Sequence, residues 1–366
     1  MVKLYEIIVK SANSAYELLD TEVGNMPPGH NGSYYDEETP VRNTSHWLIT
    51  FLKAYSISQE KKFLHGGQKM AKYLSSPESR PMQATFWHRK NPNKDSCNGL
   101  IGQAWTIESL IIASQELEMP ELLDLAEKVF LLHPFDEQIG LWRRVGVDGS
   151  YLNYDMTFNH QLWFAAIGSI LAKYASEEVK HRIMCFMSKT PQNFAVYSSG
   201  VIRHLLTLNK FEWRKKLEYS LNRPMFNLSK VLQNNHQLAY KAIGYQSFNL
   251  YAFALLKQVY PDHHLWANKT FKTALEYSQS KKYFDDVENN DYGYPYNPTG
   301  LEMPFVIQVF SQINQLMQTK WLSKQINLCY DFDKNMMTKN TKDPVTLSSR
   351  LYEATRLPNL DIEIEY

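Results

Sequence analysis

Residues 98–132 read "NGLIGQAWTIESLIIASQELEMPELLDLAEKVFLL", and the fold follows from how this stretch is parsed. Apolar residues recur at spacings of three and four over 100–116 and again over 120–132, which is the periodicity of helices that bury one face. The first helix is the more apolar of the two, the second is the more charged, and "LEMPE" joins them over a short distance. That combination is the pattern of a helical hairpin.

The same pairing repeats along the chain. Helical spacing covers 44–57 and 62–74, 156–174 and 177–188, 245–259 and 264–278, and 301–317 and 319–329, with short links such as "SISQEK", "ASEE" and "YPDHH". The apolar members begin near 44, 100, 156, 245 and 301, so three intervals are about 56 residues and one is about 89. The long interval has room for a further, poorly patterned hairpin made from about 197–208 and 211–221. Six hairpins at a near-constant period predict an all-α (α/α)6 toroid with apolar inner helices and charged outer ones. The toroid is expected to occupy residues 1–332, and the polar segment 333–366 to be an irregular tail packed on the outside.

Composition narrows the function classes. The 366 residues carry a formal net charge of +1 and no dense Lys/Arg stripe, which argues against nucleic acid as a partner. No apolar run is long enough to span a bilayer, and "MVKLYEIIVKSANSAYELLD" is amphipathic rather than a signal peptide. Cys97, Cys185 and Cys329 are odd in number and widely spaced, as reduced thiols of a cytoplasmic protein would be. No Cys/His spacing suits a metal and no Gly-rich phosphate loop follows a strand, so neither a metal nor a cofactor is expected. Aromatic residues make up 13% of the chain, many beside Gly, Asn and Asp, a mixture suited to stacking on sugar rings.

The long connections "PPGHNGSYYDEETPVRN", "QATFWHRKNPNKDSCNG", "LWRRVGVDGSYLNYD" and "DDVENNDYGYPYNPTG" all precede inner helices, so they gather at one mouth of the toroid. Inner helices begin with polar or small residues four apart: Arg42 and His46, Asn98 and Gly102, Asp155 and Asn159, Tyr245 and Asn249. Each such residue alone reads first as a helix cap. Four coincident pairs, with Arg and His among them, are not all caps, and above Ile49, Trp105, Ala166 and Ala252 they predict a polar cavity with an apolar floor. Trp87 and Arg89, Trp142 and Arg143, and Tyr294, Asn297 and Glu302 complete the candidate binding set, the guanidinium groups suiting an anionic sugar.

The segment "DMTFNHQLWFAA", residues 155–166, resembles the unsaturated glucuronyl hydrolases of the six-hairpin glycosidase group. In that family an Asp opening an inner helix is the general acid/base, and the resemblance gives this role to Asp155. The family's second Asp has no counterpart, since Asn98 and Gly99 stand there. The segments "NHQLW" and "NNHQLAY" are similar to those of toroidal uronate lyases. That resemblance implies Asn159 against the carboxylate, His160 as base, Tyr245 or Tyr294 as acid, and Arg89 or Arg42 for charge stabilisation. On one continuous helix His160 would lie about 140° around from Asp155, facing a neighbouring helix.

The leading expectation is a glycoside hydrolase acting on a uronic-acid-containing oligosaccharide or glycan through Asp155, with Asp148, seven residues earlier, over the same site. The alternatives are a lyase or C5-epimerase working by His and Tyr proton abstraction in the same cavity, and a noncatalytic glycan-binding protein.

Overall fold

Inner and outer helices differ because their sequences bury different fractions of their surface. In a computed structural model that describes residues 1–206, 228–311 and 314–365, the chain opens with strand β1 (Val2–Lys3) and helix α1 (Leu4–Tyr16). Two hairpins follow, α2 (Val41–Ser58) with α3 (Lys61–Ser75) and α4 (Gly99–Glu116) with α5 (Pro120–Leu132). Almost every residue of α4 is buried, so it has no face to offer solvent. Helix α5 buries only Leu122, Ala126, Val129 and Phe130, a single i, i+4, i+7, i+8 stripe.

Strands β2 (Phe135–Asp136), β3 (Leu141–Val145) and β4 (Tyr151–Tyr154) form a small antiparallel sheet before α6 (Phe158–Leu171) and α7 (Glu177–Asn193). Then come α8 (Leu228–Gly244), α9 (Gln246–Val259), α10 (Lys269–Ser278), α11 (Lys281–Glu288), α12 (Thr299–Phe310) and α13 (Gln315–Cys329). The chain ends with α14 (Pro344–Ser349), a 3-10 segment Arg350–Arg356, and strand β5 (Asp361–Ile362).

The inner layer is a ring in which α2 packs on α4, α4 on α6, α6 on α9 and α9 on α12. The 3-10 segment packs against both α12 and α2 and closes the circle as the sixth stave. Outside it, α1 packs on α2, and β1 pairs antiparallel with β5, Val2 against Ile362. This is the expected (α/α)6 toroid.

Three expectations need correction. The sixth stave does not come from the long interval. Residues 195–206 are irregular, held by isolated bridges Val196–Ile202 and Thr157–Leu205, and α6 meets α9 directly. The remainder of that expected hairpin, 207–208 and 211–221, lies outside the described residues. Second, the C-terminal segment is not an external tail. Arg350 and Glu353 look like surface residues in sequence, yet both are buried because they pair with each other, and Arg350 also binds Glu302. Third, "LWRRVGVDGSYLNYD" is largely a β-hairpin rather than a loop, although Gly149 at its tip takes positive φ (+84°), as the turn requires. Among the described residues, no helix is long and apolar enough to cross a membrane.

Candidate active site

The connections that precede the inner helices enclose a cavity of about 190 Å³ at one end of the ring. Of the residues expected there, Arg42, Arg89, Asn98, Trp105, Asn159, His160, Tyr245 and Asn297 line it.

Helix α6 begins at Phe158, so Asp155 lies before it on extended chain and the 140° separation expected from one continuous helix does not apply. His160, in the first turn, reaches back instead, its Nδ1 lying 2.8 Å from Asp155 Oδ2. The Leu100 backbone N–H donates to the same oxygen (3.1 Å) and the Thr157 N–H to the other (3.2 Å). Burial alone would raise the Asp155 carboxyl, but His160, Arg144 and the Leu100 N–H outweigh it and hold the pKa at about 2. Asp155 is 5% exposed and does not line the cavity. With Nδ1 committed to the carboxylate, His160 is left with Nε2 for the cavity that it lines. Gly99 is required beside this pair, because a Cβ there would sit 2.5 Å from Asp155 Oδ2 and 2.8 Å from His160 Nδ1.

A second imidazole, His204, lines the same cavity from the 195–206 segment, where its carbonyl accepts from the Phe158 N–H (2.9 Å). Burial, then the nearby Lys241 charge, lowers its pKa to about 3, so it is neutral. Its ring stands edge-on to Tyr245 at 5.2 Å. The Tyr245 hydroxyl lies 3.1 Å from that of Tyr34 and 3.4 Å from that of Tyr296, and Tyr296 donates to Asn31 (2.8 Å). Burial pushes the Tyr34 and Tyr245 phenols well up, so these hydroxyls keep their protons. Lys241, from α8, reaches the same wall.

Cations outnumber acids around the cavity. Arg42 bonds Glu38 (3.1 Å) and Asn31 (2.9 Å) and lies 4.2 Å over Trp105. Arg350 bonds Glu302 (3.0 Å) and Glu353 (2.6 Å). Arg89 lies 3.7 Å from Asp36 and 3.8 Å from Asp95, while Lys94 bonds Asp36 at 2.5 Å. Asp36 is the only acidic residue lining the cavity among the described residues, and it is committed to Lys94 and Asn91. Asn159 Oδ1 is buried with no protein partner, an acceptor open to a ligand hydroxyl.

The other expected residues lie elsewhere. His46 sits a turn below Arg42, fully buried, stacked on Tyr352 at 4.3 Å and bonded to Ser349. Asn249 bonds the Tyr245 carbonyl, Tyr294 stacks on Trp321, and Glu302 is buried against Ser247 and Arg350. Trp142 packs in the core with Phe130 and Phe164, and Arg143 projects outward over Tyr154. Trp87 and Asp148 line a neighbouring groove of about 590 Å³, and Lys94 borders both spaces. Tyr34 and Tyr296 were visible within the aromatic mouth loops; His204 lay in the poorly patterned 197–208 segment without being singled out, and neither Lys241 nor Arg350 stood in a segment that periodicity pointed to.

No family model matches the sequence. Solved structures share its fold along nearly the whole chain. Cellobiose 2-epimerase from Bacillus thermoamylovorans B4167 aligns with a TM-score of 0.60 at 12% identity, over 94% of this chain and 95% of that one. A D-mannose isomerase gives 0.60 at 14% (96% of each chain), and an unsaturated glucuronyl hydrolase specific for heparin gives 0.62 at 10% (96% and 94%). With the ring and its one-sided cavity, these similarities show the fold, an (α/α)6 toroid. Archaeal glycosylation protein Q of Haloferax volcanii is 40% identical over 372 residues, covering 100% of both chains, and the chain belongs to that protein's family.

Proposed function

We propose that the chain is a carbohydrate-active enzyme that transfers a proton at C5 of a uronic-acid unit, inverting that carbon. His160, oriented by Asp155, is one proton carrier and the Tyr245 hydroxyl, which stands beside His204, is the other. The observation that carries this reading is His160, bonded to Asp155, and the Tyr245 hydroxyl lining one cavity in which Asp36, the one carboxylate among the described lining residues, is already bonded to a lysine.

The C5 proton of a uronate is made acidic by the neighbouring carboxylate, and its removal places negative charge on those carboxylate oxygens. His160 Nε2 accepts the proton, cations of the cavity wall stabilise the charge, and the Tyr245 hydroxyl, beside the neutral His204 ring, returns a proton to the opposite face, solvent resetting the imidazolium and the phenolate. Atoms balance with no redox partner. Hydrolysis by paired carboxylates, the leading expectation from sequence, has less support. Asp155 at about pKa 2 has no proton to give near neutral pH, and no second free carboxylate adjoins it among the residues lining the cavity. The epimerases among the fold neighbours accord with the proton-transfer reading, and the relative's name points to a sugar within a glycan or its precursor.

Elimination is the second reading, favoured by the Tyr245 hydroxyl, which could protonate a leaving oxygen. Incubation with glucuronate-containing oligosaccharides in D2O tests all three. Deuterium at C5 of recovered, C5-inverted product supports epimerisation, and a rising ultraviolet band of a 4,5-unsaturated sugar assigns elimination. Release of free sugar without C5 exchange would return the chain to the hydrolases.

A further inference from the structure

We propose that Lys241 selects the ligand by charge, receiving the carboxylate of a uronic acid or the phosphoryl group of a sugar phosphate at the cavity wall. This rests on the reading that the ligand is a sugar.

Each other cation of the cavity has an acid beside it: Arg42 has Glu38, Arg350 has Glu302 and Glu353, and Arg89 and Lys94 share Asp36. Lys241 has neither an ion-pair nor a hydrogen-bond partner among the described residues. Its ammonium faces three rings instead, 4.7 Å from the centroid of Tyr34, 5.4 Å from Tyr245 and 5.8 Å from Tyr292. Aromatic faces stabilise a cation and fix its position, but they leave its three N–H donors without a strong acceptor. A half-buried ammonium in that state is held ready for an anion brought by the ligand. Burial, with Lys94 nearby, lowers its pKa to about 8, so it is charged at neutral pH and close to losing that charge.

Binding of D-glucuronate, D-glucose 6-phosphate and D-glucose, followed by fluorescence of Trp105 in the cavity wall and by calorimetry, tests the proposal. The wild type is expected to bind at least one anion about tenfold more tightly than glucose, and the tighter of the two anions identifies the source of the charge. Lys241→Met erases that preference while glucose affinity stays; Lys241→Arg keeps it. A purely structural lysine would instead weaken all three sugars together.

Raising the pH from 7 to 9 abolishes the preference in the wild type but not in Lys241→Arg, which also covers the case in which the Met variant misfolds. The other groups facing the ammonium are Tyr34, Tyr245, Tyr292, Lys94 and His204. The three phenols are raised by burial and His204 is already neutral, which leaves Lys241 and Lys94, and the Arg variant separates those. A wild type with no preference, or a Met variant that retains it, overturns the proposal. Preference without C5 exchange would leave Lys241 its role and remove the epimerase; exchange without preference would do the opposite.

Discussion

At the residue scale, the proposed reaction has Asp155 act through His160. Asp155→Asn should leave substrate affinity within a few-fold but lower turnover on the order of 100-fold, because Nδ1 loses the acceptor that orients the ring. Steady-state kinetics with kcat and KM resolved would check this, and a variant with unchanged kcat would remove the dyad from the mechanism. The same carboxylate links stability to pH. Its pKa is depressed from the ordinary 3.8 to about 2, so its stabilisation is complete above 3.8 and is lost as pH falls through 2. It contributes on the order of 2 kcal/mol, and urea midpoints of the wild type should fall more steeply than those of Asp155→Asn between pH 4 and 2. The sequence made Arg42, Asn98, Asn159 and His160 legible because each opens a periodic helix or sits within a turn of its start. His204 and Lys241 were not legible. The first stands on a stretch without a period, and the second sits at the far end of a helix whose beginning carries no patterned signal.

At the element scale, the start of α4 is shaped around the site. Gly99→Ala forces a side chain at φ +58° into the Asp155–His160 contact. It should cost about 1–3 kcal/mol in chemical denaturation and at least tenfold in turnover. A soluble variant with wild-type kcat would mean that the dyad tolerates displacement. The closing 3-10 segment carries a larger penalty. Arg350→Met strands Glu302 and Glu353 in the interior, costing about 3–5 kcal/mol. Burial raises both carboxyls, so in the variant they shed the uncompensated charge by taking up protons, and its deficit should be smaller at pH 5 than at pH 8. Thermal melts at the two pH values would show it. The hairpins α2/α3 through α6/α7 were readable because their apolar periods survive packing. The sixth stave was not readable, since it is a short 3-10 segment in which the ion-paired Arg350 and Glu353 are buried among Leu351, Tyr352 and Ala354 and interrupt any apolar period.

For the whole molecule, ring closure depends on the segment after residue 342, which joins α12 to α2. Truncation there removes Arg350 from the cavity wall and opens the inner layer between those helices. The truncated chain should lose cooperative melting by circular dichroism and become sensitive to limited proteolysis; a sharp transition within a few degrees of the wild type would contradict ring closure by this segment. The pairing of Val2 with Ile362 also bears on biogenesis. During synthesis β1 and α1 emerge long before β5 and have no strand partner until it leaves the ribosome. Until then the nascent chain is an open arc with the unpaired Glu302 and the apolar edges of α2 and α12 uncovered. The last step of folding, and with it assembly of the cavity, therefore waits for β5, and the interval before it is when the chain most needs a chaperone.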